Sequence, residues 1–158
     1  MLNLFGTEEK EGLEMKLVIR RMKPEDAADI QALNTQLGYS YPADKIAARI
    51  NFLLYSSSDV MLAAEADGTV IAYAHATRYE TLYADKMANI LAFVIKEGIE
   101  ESEAISQQLY DEFEKQIRSF GFMGMRMIAD TSRIITREFF VKNGFDSKRD
   151  LKHFIKWF

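Results

Sequence analysis

This sequence predicts a single α/β domain: a mixed sheet with helices on both faces. Three observations carry the prediction. The chain has 158 residues and 48% hydrophobic content, enough for one full core. Strand and helix periods follow one another as strand, two helices, three strands, helix, strand, helix, strand pair. In the middle of that order, from Ala88 to Phe120, an apolar strand turns through Gly98 into one long amphipathic helix.

Each element has its own signal. Residues 1–15 continue no later period and read as a loosely held arm, which leaves residues 16–158 as the domain. Lys16 to Met22 carries Leu17, Val18 and Ile19 and reads as the first strand, closed by Lys23-Pro24. Pro24, Glu25 and Asp26 open a helix, with proline in the first turn and acids at the positive end of the dipole; Ala27, Ile30, Leu33, Asn34 and Leu37 mark its inner face, and Gly38 ends it. After an aromatic linker ending at Pro42, Asp44 is the expected cap of a second helix running to Tyr55. Val60 to Ala66 and Thr69 to Thr77 are two strands joined at Asp67-Gly68, a strong hairpin signal. The stretch from Arg78 to Lys86 is too polar and irregular for a strand. Asn89 to Ile95 is the organising strand; Ile105, Leu109, Phe113, Ile117 and Phe120 then form one stripe, stopped by Gly121. Met123 to Asp130 reads as a strand and Arg133 to Lys142 as a helix capped by Thr131 or Ser132, with Asn143-Gly144 as its left-handed stop. Phe145 should open a last hairpin, because Leu151, His153, Ile155 and Trp157 alternate with Lys152, Phe154, Lys156 and Phe158.

Composition narrows the function. Twenty basic and 24 acidic residues give a net charge of −4, and Glu8, Glu9, Glu11 and Glu14 against Lys10 put −3 of it in the first fourteen residues. The body is near neutral, which argues against a nucleic-acid partner. The absence of cysteine excludes a disulfide framework, a thiolate nucleophile and thiolate metal sites. His75 and His153 make no metal-ligand spacing, so no metal is expected. No run approaches the roughly 18 apolar residues of a membrane span. A cytoplasmic protein is the default expectation.

A strand feeding a helix through a tight turn makes an anion site, since the first helical N–H groups point unpaired into the turn. This corner, with Thr131-Ser-Arg-Ile-Ile-Thr-Arg-Glu-Phe-Phe-Val-Lys-Asn-Gly-Phe145 downstream, resembles the GNAT superfamily of acyl-CoA-dependent N-acyltransferases. The downstream segment looks like that family's second motif, an Asn- or Arg-led helix ending in Phe-Tyr-x-x-x-Gly-Phe. The resemblance runs in order of elements from about Leu17 to the C-terminus.

It implies a central, mostly antiparallel twisted sheet and an acyl-CoA site where the strand ending near Ile95 parts from the strand ending near Asp130. Phe93, Val94 and Ile95 would pair with pantetheine through their backbone, with the oxyanion amide near Val94. Ser102, Glu103 and Ala104 would fall on the pyrophosphate loop, patterned Arg/Gln-x-x-Gly-x-Gly/Ala. Here Ile99 replaces the Arg, and Glu100, Glu101 and Glu103 bring like charge to a diphosphate, on the order of 1 kcal/mol each. Arg133 matches the Arg-led motif, and Lys142 would reach the 3′-phosphate. The position of the usual acid, a tyrosine, is Phe140, which would instead wall the CoA channel. The position of the usual strand base is Asn89, which can position water or amine without taking a proton; Glu80, Glu97, His75, Tyr73, Tyr79 and Tyr83 are the substitutes.

Two functions follow. One is an acetyl-CoA-dependent N-acetyltransferase passing its acyl group to a primary amine on a small molecule or peptide by direct attack. The other is a GNAT-fold protein without the chemistry, acting as a ligand-binding or protein-interaction module. A homodimer would be favoured by an exposed Trp157 or Phe158, and no membrane partner is expected.

Overall fold

The computed structural model describes residues 15–56, 58–129 and 134–158. Five strands form one sheet in sequence order: β1 (Leu17–Arg21), β2 (Val60–Ala66), β3 (Thr69–Tyr79), β4 (Met87–Ile95) and β5 (Met125–Met127). β1 through β4 pair antiparallel, and β5 joins β4 in parallel. The hairpin between β2 and β3 turns at Asp67 and Gly68, both at positive φ, as a two-residue turn with the sheet's twist requires.

Helices α1 (Ala27–Gln36) and α2 (Ala43–Ser56) cover one face, while α3 (Ser102–Ser119) and α4 (Ile134–Lys142) cover the other. Alternation along each strand divides the core. Leu62, Ala64, Ala72, Ala74 and Ile90 meet Leu109, Phe113 and Ile117 of α3, whereas Ala63, Val70, Tyr73 and Val94 meet Ile30, Leu33, Ile46 and Ile50 of α1 and α2. The central alanines, all fully buried, let helices approach the sheet closely from both sides.

Several expectations change. Pro24–Asp26 is a separate 3-10 turn ahead of α1, because the Asp26 side chain is turned back onto the Lys23 N–H and Arg20. Asp44 lies inside α2, so it supports the helix through the dipole rather than as a cap. β3 extends through Arg78 and Tyr79, which pair with Ala88 and Met87. Phe120 is half exposed, as it falls past the last turn of α3. Among the described residues of the expected strand, 123–129, β5 keeps three. The C-terminal hairpin does not form: Phe145 is held by its N–H to the Phe140 carbonyl and packs on the core, but residues 146–158 carry no strand. Their alternation gives two faces, yet neither is covered; Trp157 is 83% exposed. The predicted caps Thr131 and Ser132, like the arm 1–14, lie outside the described residues.

Candidate functional site

The β4–β5 ladder is short. It pairs Ala88 with Met125, Asn89 with Arg126 and Ile90 with Met127, and nothing further among the described residues. Beyond Ile90 the two parallel strands part. Leu91, the first residue past the ladder, is an extra residue: His75 faces Ala92 and Ala76 faces Ile90, so a β-bulge leaves Leu91 without a β3 partner and 54% exposed.

The free edge follows from the register. Lys96 donates to the Ile71 carbonyl, so the alternation turns Lys96, Val94 and Ala92 toward β3 and Phe93, Ile95 and Glu97 toward the gap. That corrects the expectation for Val94, whose amide is directed at Tyr73. Phe93 and Ile95 supply the outward groups. Gln36, at the end of α1, already reaches this edge: its carboxamide donates to the Ile95 carbonyl (2.6 Å) and accepts from the Glu97 N–H (3.2 Å).

The strand then enters a turn with Gly98 at φ 75° and Glu101 at φ 59°, the latter a left-handed conformation rare for a non-glycine residue. The first α3 hydrogen bond runs from Ile105 N–H to the Glu101 carbonyl, so the N–H groups of Ser102, Glu103 and Ala104 project from the helix end. Glu103 does not stand alone there. Lys142, expected at a ligand phosphate, is bonded to it instead (2.8 Å), and that hydrogen bond lowers the Glu103 carboxyl below its ordinary range. Glu100 and Glu101 are exposed.

Below the gap, on the α3 and α4 side, Phe93 contacts Phe139 and Phe140 with ring centroids 5.5 Å away in each case. Phe140 is 3% exposed and also meets Phe145 at 5.0 Å. The only hydroxyl in this aromatic group belongs to Tyr110, 6.3 Å from Phe140 between centroids; burial and its bond to Glu114 hold that phenol well above its usual range. Arg133 lies outside the described residues.

On the α1 and α2 side a polar row crosses the sheet. Thr77 opposes Asn89, and Asn89 opposes Arg126. The Arg126 guanidinium donates to the Asn89 side-chain carbonyl (2.9 Å) and lies over the Tyr79 ring at 4.3 Å; Tyr79 and Tyr83 share a hydroxyl contact at 3.3 Å. Thr77 donates to Asp59 (3.0 Å), whose other oxygen meets His75 Nε2 at 2.6 Å. Asp59 is 5% exposed on its side chain and His75 is half-buried. A carboxylate on Nε2 makes that nitrogen the donor and leaves Nδ1 as the basic one. Tyr73 bonds Asn34 of α1 (2.5 Å) and is pushed up to about 12 by burial. Glu80 is exposed just past the end of β3 and tied to Arg78 (2.8 Å), while Glu97 is exposed past the end of β4.

Asn89, Phe93 and Ile95 lie on β4, where it parts from β5, and Ser102, Glu103 and Ala104 stand on the helix end that follows; His75 lies one strand away on β3, beside Ala92, with its ring bonded to Asp59 just before β2. Four contributors carried no signal in sequence. Gln36 is an ordinary helix-end glutamine, Asp59 reads as a loop residue, Arg126 as one polar position of a short strand, and Leu91 as part of an apolar run. Each matters through a partner 16 or more residues away, or through a register shift, which periodicity does not encode. A cleft of about 930 Å³ also lies along β5, between α3, α4 and the C-terminal segment, lined by Met125, Met127, Val141, Phe145 and Leu151 among others.

No family model and no curated protein matches this chain. Its fold does have solved counterparts. The aminoglycoside N-acetyltransferase AAC(6')-Iy, in complex with CoA, superposes with a TM-score of 0.76 at 18% identity, covering 90% of this chain and 96% of that one. An acetyltransferase of Trypanosoma brucei gives 0.73 at 14% identity over 89% and 100% of the two chains. Glucosamine-6-phosphate N-acetyltransferase of Arabidopsis thaliana gives 0.69 at 15% identity over 90% and 99%.

Proposed function

We propose that this chain, which has the GNAT N-acetyltransferase fold, is an acyl-CoA-dependent N-acetyltransferase that acylates a primary amine on a small molecule or peptide by direct attack. The parting of β4 and β5 after Ile90 carries the reading, because it leaves the outward backbone of Phe93 and Ile95 beside a helix end whose first N–H groups lie ahead of the first helical hydrogen bond. An acyl donor bound there supplies the thioester carbonyl. The residues of this chain do the rest. An outward amide of Phe93 or Ile95 takes the place expected of Val94 in stabilising the developing oxyanion. The N–H groups of Ser102, Glu103 and Ala104 hold the diphosphate, and Arg133, the leading residue of the second motif, serves the pantetheine arm; Phe140 stiffens the wall behind Phe93.

His75 is the base in this reading. The attacking amine forms its bond to the carbonyl carbon as the C–S bond breaks, and the proton it sheds goes to His75 Nδ1, while Asp59 stabilises the resulting imidazolium. Asn89, its carbonyl held by Arg126, positions the amine from β4, and Glu80, bonded to Arg78 after β3, is the remaining carboxylate candidate. The named acetyltransferases of similar fold include enzymes acting on aminoglycosides and on glucosamine 6-phosphate, which supports an amine acceptor. A cytoplasmic setting is part of the same proposal.

Two observations favour the module reading instead. Phe140 offers no proton to a departing thiolate, and Glu100 and Glu101 are exposed immediately before α3, at the end proposed for the diphosphate. Calorimetry with acetyl-CoA at moderate ionic strength separates the two. Micromolar binding followed by amine-dependent release of CoA supports the transferase, binding without turnover on any amine supports the module, and no binding at millimolar ligand defeats the transferase. A homodimer belongs to the proposal as well, since Phe154, Trp157 and Phe158 are exposed together on the C-terminal segment. Sedimentation of the intact chain against Phe154→Glu/Trp157→Glu tests it: a dimer for the first and a monomer for the second is the expected pair.

A further inference from the structure

The last outward positions of β4 are occupied, and by an amide. The Gln36 carboxamide donates to the Ile95 carbonyl and accepts from the Glu97 N–H. A carbonyl and the N–H two residues on are the pair that one residue of a parallel strand engages through its own N–H and C=O. Gln36 therefore takes the place of a single strand residue on an edge that β5 has left after Ile90. The helix that carries it is fixed to the sheet elsewhere: Asn34 accepts from Tyr73, and Asp29 accepts from the Val70 N–H. Gln36 is only part-buried and ends its helix, with Gly38 at φ 90° two residues on, so its side chain can leave without moving α1.

We propose that Gln36 is an internal stand-in for a ligand amide, a residue that must swing off Ile95 and Glu97 before an extended, amide-bearing arm can pair along β4, and that thereby sets the affinity for that arm. This rests on the acyl-CoA reading, since the arm in question is the pantetheine portion with its two secondary amides. The competition is between like groups, one carboxamide against the N–H of one arm amide and the C=O of the other, for the same carbonyl and N–H, so it is selective for the arm over the nucleotide. A stand-in closed in about four-fifths to nine-tenths of molecules weakens apparent binding about five- to tenfold, because only the open fraction is competent.

The test uses two probes on the full chain. CoA carries the arm; adenosine 3′,5′-bisphosphate keeps the nucleotide phosphates and lacks it. Gln36→Ala removes the carboxamide, and Gln36→Asn keeps it one methylene too short to reach. Both variants should bind CoA about five- to tenfold more tightly than the wild type, and adenosine 3′,5′-bisphosphate no differently. A residue that merely braces β4 would give weaker or unchanged CoA binding, or equal changes for both probes, and either result overturns the proposal. If wild type and variants bind neither probe, the acyl-CoA reading fails and this inference with it; if wild-type CoA binding is sound but the variants do not tighten it, Gln36 alone is misread.

Discussion

Asp26→Asn is the perturbation whose consequence the structure fixes most closely. Asp26 is 4% exposed, yet charged and fully engaged: its two oxygens accept from Arg20 at 2.8 and 2.9 Å, and the Lys23 N–H donates to it at 2.9 Å. Arg20 also donates to Glu65 of β2 at 2.7 Å, so three segments, β1, the 3-10 turn before α1, and β2, share one guanidinium. Burial alone would raise the Asp26 carboxyl, but the Arg20 hydrogen bonds and the Lys23 N–H outweigh it and hold the group below its ordinary range. Removing one partner of a buried pair costs about 3–5 kcal/mol. Arg20 keeps Glu65 and some solvent, and Asn can still accept from Lys23, so about 2–3 kcal/mol is the expected loss. For a domain of this size that is about 5–10 °C in Tm. The pH dependence has a definite sign. A carboxyl lowered on folding adds stability above its unfolded value, near 3.9, and that contribution disappears as pH falls through the folded value. Urea unfolding at about pH 7, 5 and 3 should show wild type and variant converging toward the acid end. A loss below about 0.5 kcal/mol, or a gap that does not close with acid, would refute the view that this pair is buried, ionised and net stabilising.

Three further outcomes concern the site. His75→Gln should cut turnover on the best amine found by screening about 10²- to 10⁴-fold with Tm nearly unchanged, and a loss under about tenfold would remove His75 as the base. Phe140→Tyr should lower stability by about 1–3 kcal/mol, because the new hydroxyl enters an aromatic group in which Tyr110 is already bonded to Glu114, and should not raise turnover; a clear rise would show that the hydroxyl reaches the leaving sulfur. Glu100→Gln with Glu101→Gln should tighten CoA binding several-fold at low salt and less at high salt, the mark of screened repulsion; a salt-independent change would point to loop conformation instead.

Local order was legible in the sequence, and long-range pairing was not. The stripe Ile105, Leu109, Phe113, Ile117 is buried as its spacing requires, and Asp67-Gly68 turns where the hairpin signal put it. The expected parting of the two parallel strands is also present, after Ile90. What failed depended on partners. The alternation of Leu151, His153, Ile155 and Trp157 describes a strand only if an edge accepts it, and on this chain those residues stay uncovered. Val94 looked like an outward amide until the Lys96–Ile71 bond set the phase of the whole strand. Lys142 looked free for a phosphate, but Glu103 comes within reach once α3 and α4 are packed side by side. Asn89 is the subtler case. Its identity excludes it as a base, yet only the cross-strand row shows why an amide suits that place: its carbonyl accepts from Arg126, whose guanidinium lies over the Tyr79 ring.

α1 connects these observations. Its side chains reach the sheet at Val70, Tyr73, Ile95 and Glu97, which lie along β3 and at the end of β4, so one rigid helix touches both β3 and the free edge of β4. The Arg20–Asp26 pair anchors the turn from which that helix starts. Loosening the anchor therefore has a consequence beyond global stability: the helix can tilt about its remaining contacts, and the polar ends furthest from the anchor, at Asn34 and Gln36, shift most. Asp26→Asn should then weaken the Gln36 hold on Ile95 and bring CoA affinity part of the way toward that of Gln36→Ala, at a temperature where the fold is intact. Combined with Gln36→Ala, it should add nothing further to CoA binding, since the contact through which it acts is already gone. Full additivity in CoA affinity would mean that the anchor and the ligand edge are independent, and that α1 does not transmit between them.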